Sequence, residues 1–342
     1  MSEPLLSVEA LEVVYHTDAG ILPALSDVCF EVRQSQIVGV VGESGCGKST
    51  LGAALLRLLS PNGEIVGGRV MFAGRDLASL SSGELRKVRG RGIAMVFQDP
   101  LTSLNPTFTV GQQMIDAERA HGQGREPKDV LRRRAIDALT RVGIPDAARR
   151  IRNHPHEFSG GMRQRIMIAI ALLHEPSLLI ADEATSALDV TLEAQILKLL
   201  KEINASHGTA ILLISHNLGV IAEVCERVVV MYAGRAVEEG DVYAIFDRPL
   251  HPYTRALLAA VPSPQHRGTT LAAIPGRVPS LLALPPGCKY ADRCAHAVAV
   301  CFAREPASLA RAGLRVRCFL YDDSVPEADK PRADWATAPG RA

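Results

Sequence analysis

Residues 42–50 read Gly42-Glu43-Ser44-Gly45-Cys46-Gly47-Lys48-Ser49-Thr50, a spacing of glycines, lysine and hydroxyls suited to wrapping a polyphosphate. This is the phosphate-loop pattern G-x-x-x-x-G-K-S/T. An apolar run (Ile37, Val38, Val40, Val41) precedes it, and Leu51, Leu55, Leu58 and Leu59 follow at helical spacing. The glycines let backbone N–H groups turn inward, and the helix start adds partial positive charge. Lys48 would reach the β- and γ-phosphates of ATP, and the Ser49 hydroxyl would ligate Mg²⁺. A plain glycine-rich turn is the bland alternative, and the full pattern in this setting argues against it.

Other segments carry complementary chemistry. Leu178-Leu179-Ile180-Ala181 is an apolar strand ending in Asp182-Glu183. Ligands of parallel sheets sit at such strand ends. Asp182 can then serve the Mg²⁺ shell while Glu183 faces an attacking water. His216 follows a second apolar strand, Ile211 to Ser215, and could donate to γ-phosphate oxygens, although a lone histidine there is more often structural. Gln98 follows the strand Ile93 to Phe97 and could hold the metal or the water. Ser159-Gly160-Gly161 opens another helix with free backbone N–H groups, or is an ordinary N-cap. Two phosphate-binding helix starts and one nucleotide suggest two chains facing head-to-tail, each capping the nucleotide of the other.

These segments need a scaffold. At 342 residues the chain implies one large domain with an appendage, or two domains, and 47% hydrophobic residues supply a core. A net charge of +1 gives no push towards nucleic acid, and Arg132-Arg133-Arg134 reads as a solvated helix face. The longest apolar run, Ile166 to Leu173, is too short for a membrane span, and no secretory n-region precedes Arg33. The expectation is a soluble, cytoplasmic chain. Strands are expected over residues 5–32, at Arg69 to Phe72, Ile93 to Phe97, Leu178 to Ala181, Ala210 to Ile214 and Val228 to Tyr232. Helices are expected at Met162 to Leu173 and Leu192 to Ile203, with a mostly helical stretch between Gln98 and Ser159 and a turn at His121 to Gly124. Short continuous apolar runs joined by helices suit a buried parallel sheet, hence an α/β fold.

Of seven cysteines, four (Cys288, Cys294, Cys301, Cys318) fall near the end, with five, six and sixteen residues between successive thiols. No C-x-x-C pair is present, so a zinc ribbon fits poorly. An iron–sulfur cluster standing in for a small core is the leading expectation; zinc and plain buried thiols are the alternatives.

As an ordered set, the phosphate loop, Gln98, Ser159-Gly160-Gly161, Asp182-Glu183, Ser186-Ala187-Leu188-Asp189 and His216 resemble the ATP-binding subunits of ATP-binding-cassette transporters. Three further segments are similar to the dipeptide/oligopeptide importer ATPases, nearest their "D" subunit. They are Gln98 to Pro106, Arg248 to Thr254 and Pro275 to Pro279, and the four cysteines match that family's C-terminal extension. The resemblance implies a P-loop NTPase fold with a RecA-like parallel-sheet core, an antiparallel β subdomain, a helical subdomain near 99–170 and a small cysteine-containing extension. It divides the chain into a nucleotide-binding domain (5–245), the extension (246–320) and a disordered tail (321–342, disorder being read from Val325 onward).

It also implies an ATPase with ATP, Mg²⁺ and a 4Fe–4S cluster, in which Glu183 acts as base and His216, Gln98 and Lys48 assist. Tyr15 falls where the family stacks an aromatic on adenine, unless it is a core or surface tyrosine. Asp189 belongs to the loop that meets the facing chain. The implied partners are a second ATPase subunit, a heterodimer rather than a homodimer, two transmembrane permeases, and an external binding protein acting indirectly, at the cytoplasmic face of a bacterial inner membrane. The implied cargo is peptide, with nickel, glutathione or opine import as the alternative and a soluble non-transport ATPase further off. Ala184 stands where the family usually has Pro, which loosens the backbone after Glu183.

Overall fold

A computed structural model of the chain describes residues 3–99, 103–121, 126–185, 188–261 and 273–333. Pro100 to Thr102 of the Gln98 segment, Gly122 to Gly124 of the expected turn, Ser186-Ala187 and residues 334–342 of the expected tail lie outside the described residues.

Among the described residues there are twelve strands: β1 (Leu6–Thr17), β2 (Gly20–Val32), β3 (Ile37–Val41), β4 (Gly63–Phe72), β5 (Arg75–Asp76), β6 (Ile93–Val96), β7 (Leu178–Asp182), β8 (Ala210–Ile214), β9 (Arg227–Tyr232), β10 (Arg235–Asp241), β11 (Leu309–Arg311) and β12 (Leu314–Val316). They divide between two compact units.

The first unit is built mainly from Phe72–Ser215. In it β6, β7 and β8 lie parallel, with Ile93 opposite Leu178 and Asp182 opposite Ile214. Every residue of β7 and β8 is buried, which is why they read as unbroken apolar runs rather than alternating ones. The helices Val110–His121, Lys128–Arg141, Ala147–Arg150, Gly160–Ala171 and Val190–His207 belong to the same unit. Asp189 caps the last of these, its Oδ1 accepting from the Leu192 N–H at 2.9 Å, and Gly208 ends it at φ 66°.

The second unit comprises Ser7–Glu31, Val38–Met71 and the chain from His216 onward. There β2, β1 and β4 lie side by side. β3 runs parallel to β9, while β9–β10, β10–β12 and β12–β11 are antiparallel. Strand β12 comes from the cysteine-rich end of the chain and pairs Val316 with Glu238.

Regular structure past residue 249 is richer than periodicity suggests. A helix runs over Pro252–Ala259, its start capped by His251 Nδ1 accepting from the Tyr253 N–H at 3.0 Å. Pro252 at the first turn hides this helix from a periodicity reading, although proline is well tolerated there. Among the described residues no helix is long and apolar enough to cross a membrane.

Candidate functional site

In the second unit the phosphate loop leaves fully buried β3 and enters the helix Lys48–Leu55. Gly45 and Gly47 have φ of 78° and 102°, in the left-handed region that side-chain-bearing residues avoid. A Cβ on Gly47 would lie 2.8 Å from the Ala24 carbonyl oxygen. The Lys48 ammonium is buried and donates to the Gly42 oxygen at 2.8 Å and the Glu43 oxygen at 3.2 Å. A third contact, to the Cys46 sulfur, is long at 3.9 Å, and a buried cation with no carboxylate among these three partners is poised for an anion. Cys46 is buried beneath the loop, and burial pushes its thiol up despite Lys48 nearby. Residues 42–47 thus link β3 to the helix Lys48–Leu55 in a strand–loop–helix arrangement.

Glu43 has partners that sequence reasoning missed. Its carboxylate receives a two-pronged bond from Arg293, and its N–H donates to the Tyr253 hydroxyl at 2.9 Å. Tyr232 and Tyr290 pack around the same guanidinium. The signal available was Tyr253 and Arg293 inside Pro/Gly-rich segments, legible only as family markers.

Tyr15 also lies in this unit, half-buried, with its ring packed on Gly63, where a Cβ would come within 2.7 Å of the ring. His216 is exposed, two residues beyond β8 and just before the short helix Leu218–Val224.

In the first unit Asp182 ends β7 and is buried, and Glu183 follows at φ 45°. Gln98 Nε2 donates to Glu183 Oε2 at 2.8 Å, and the Glu183 N–H donates to the Ile214 oxygen at 2.9 Å. The structure therefore brings Gln98 and Glu183 together, and it tethers the Glu183 backbone to the neighbouring strand although Ala184 supplies no proline ring. Ser159 caps the helix Gly160–Ala171, its Oγ accepting from the Met162 N–H at 3.4 Å. Gly161 packs under Leu192, whereas a Cβ on Gly160 would meet nothing within 4 Å. The ordinary N-cap and an open glycine helix start thus coexist.

The expectation of an iron–sulfur cluster or zinc at Cys288, Cys294, Cys301 and Cys318 is corrected by the structure. The four thiols line one small cavity. Yet among the described residues no group of three or more His, Cys, Asp or Glu side chains is arranged to hold a metal ion. The physical reason is that these cysteines behave as small apolar side chains. Cys301 packs with Ala291, Phe319 and Val325, and Cys318 packs with Val316 and Tyr321. The extension thus builds a core of its own and needs no cluster to replace one. Burial pushes the Cys288 thiol up to about 11 and raises Cys294 and Cys318 as well.

Residues 25–186 match the ABC transporter family, and residues 237–301 match the oligopeptide/dipeptide transporter C-terminal region. The chain is 49% identical to a probable peptide ABC transporter ATP-binding protein of Sinorhizobium fredii, over 94% of this chain and 96% of that one. The chain belongs to the ATP-binding subunits of ABC transporters. This cassette is also 45% identical to an oligopeptide transport ATP-binding protein of Escherichia coli, over 93% and 94% of the two chains. Among solved structures, the cassette resembles a dimeric ATP-binding cassette in a post-hydrolysis state with ADP and phosphate. That match has a TM-score of 0.63 and 26% identity, covering 69% of this chain and 98% of the other. The P-loop NTPase fold of ABC ATPases is therefore that of this cassette.

Proposed function

We propose that this chain is the ATP-hydrolysing subunit that powers peptide import through a membrane complex. The observation that carries the reading is the buried Lys48 ammonium in its glycine loop, in a chain 45% identical to an oligopeptide transport ATP-binding protein over nearly the whole length of both. ATP binds on Gly42 to Thr50, with Tyr15 against adenine and Lys48 on the β- and γ-phosphates. Ser49, Asp182 and Gln98 offer only oxygen donors of hydroxyl, carboxylate and amide type, a set that fits Mg²⁺. The ion would neutralise phosphate charge.

Glu183 accepts the proton of the attacking water, and the Gln98 amide orients its carboxylate. His216 and Lys48 stabilise charge gathering on the γ-phosphate. The Ser159-Gly160-Gly161 segment and the Asp189 loop act on the nucleotide of a facing cassette, a different subunit rather than a second copy. The nucleotide-binding domain spans 5–245, the helical segment near 99–170 grips two permease subunits at the inner face of the membrane, and 246–320 is an accessory extension. An external binding protein selects the cargo.

The test is reconstitution with the permease subunits and binding protein in vesicles. Peptide-stimulated ATP hydrolysis and peptide uptake are expected. Stimulation by nickel or glutathione with none by peptides would overturn the cargo, and absence of any ATP hydrolysis would overturn the reading.

A further inference from the structure

Three parts of Glu43 are engaged at once within the second unit. Arg293 holds the carboxylate with NH1 to Oε2 at 2.6 Å and NH2 to Oε1 at 3.0 Å. The Tyr253 hydroxyl accepts from the backbone N–H at 2.9 Å. The backbone oxygen accepts from Lys48 Nζ at 3.2 Å. Only the last of these contacts belongs to the phosphate loop itself; the other two come from the C-terminal region, some 210 and 250 residues away.

Both distant residues are themselves firmly placed. Arg293 Nε donates to the Pro275 oxygen at 2.7 Å, NH1 also donates to the Tyr232 hydroxyl at 3.2 Å, and the guanidinium lies 5.7 Å and 5.8 Å from the Tyr232 and Tyr290 ring centres. Tyr253 is fully buried at the start of a helix whose preceding N–H groups, on Leu250 and His251, both donate to the Glu238 carboxylate of β10. The ring itself packs against those of Tyr232 and Tyr290, with centres 4.6 Å and 5.4 Å away.

An ion pair this deep is a poor way to gain stability alone. The Arg293 side chain is 4% exposed and that of Glu43 25%, and apolar side chains of similar volume would hold such a region together about as well. What a two-pronged guanidinium–carboxylate pair adds is a fixed position and orientation. We propose that the C-terminal region sets the conformation of the phosphate loop through Glu43, with Arg293 and Tyr253 as positioning residues for nucleotide binding. Neither touches the nucleotide; they act by fixing the Glu43 peptide that in turn holds Lys48. The inference rests on the ATP-binding reading above.

The test uses the full chain and a non-hydrolysable ATP analogue with Mg²⁺, measuring Kd alongside the melting temperature without nucleotide. Wild-type binding is measured first; its failure would overturn the ATP reading and this inference with it. Tyr253→Phe removes one hydroxyl and keeps the ring, and should weaken binding about three- to tenfold, the worth of one hydrogen bond. Arg293→Gln should weaken it further, with Arg293→Lys in between because the charge survives but the fork does not. In a Glu43→Gln background, Arg293→Gln should add less than about twofold, as expected of residues acting through one another. A purely structural role would lower the melting temperature and leave Kd alone. Wild-type Kd in both Tyr253→Phe and Arg293→Lys would therefore overturn the inference. Those two variants decide it even if Arg293→Gln does not fold.

Discussion

The side-chain amide of Gln98 donates to the Glu183 carboxylate across 2.8 Å, joining the second residue beyond β6 to the first residue beyond β7. Glu183 itself sits at φ 45°, a backbone state costing a non-glycine residue roughly 1 kcal/mol or more. The bond from its N–H to the Ile214 oxygen keeps it there. A carboxylate held by a strained backbone and oriented by an amide is a candidate base whose direction is set before substrate arrives.

Glu183→Gln should therefore leave nucleotide affinity near wild type and lower ATP turnover by about a hundred- to ten-thousand-fold. Single-turnover hydrolysis and analogue binding on the same preparation check both halves. Gln98→Ala should cost turnover by about tenfold, because Glu183 stays in place but loses its orienting partner.

Gly47 and Gly160 should separate structural from functional glycines. At Gly47, φ is 102° and a Cβ would press on the Ala24 oxygen, so Gly47→Ala should destabilise the fold by about 2 kcal/mol or more. At Gly160, nothing lies within 4 Å of an added Cβ, and the residue begins a helix. Gly160→Ala should leave the melting temperature unchanged or slightly higher while lowering turnover in the assembled complex. Thermal unfolding and ATPase assays on both variants read this directly.

Much of this was legible in advance, and the boundary is instructive. Leu178-Leu179-Ile180-Ala181 and Ala210 to Ile214 announced themselves because strands buried on both faces must be apolar throughout. The phosphate loop was legible because its glycines answer to backbone geometry that few other residues tolerate. Arg293 and Tyr253 were not, since contacts spanning more than 200 residues leave no local period. The cysteines misled for a related reason: spacing alone cannot distinguish thiols that ligate from thiols that pack against Phe319 and Val325.

The histidine before Tyr253 makes stability depend on pH. His251 is fully buried, and burial holds its pKa down to about 3 from 6.5. Between those values the unfolded chain binds a proton that the folded chain refuses, so stability falls as pH drops from about 6.5 towards 3, by up to about 1.4 kcal/mol per pH unit. Glu238 and Glu239, raised by burial, act with the opposite sign, and they are present equally in a His251→Gln variant. Denaturant melts of the two proteins between pH 4 and pH 7 should converge at the acid end; parallel curves would contradict the assignment.

The cysteine core gives a chemical expectation. Cys318, buried and raised, should react with a thiol reagent at neutral pH far more slowly than the partly exposed Cys29, and the difference should vanish on unfolding. Mass mapping of the labelled positions over time reads the order.

The most direct test of the whole account is the dependence of turnover on assembly, since Ser159-Gly160-Gly161 is held to serve a nucleotide on the opposite cassette. ATP hydrolysis per chain should rise with added partner cassette, and vanish in the dilute monomer. Constant turnover per chain down to dilutions where only single copies exist would contradict it.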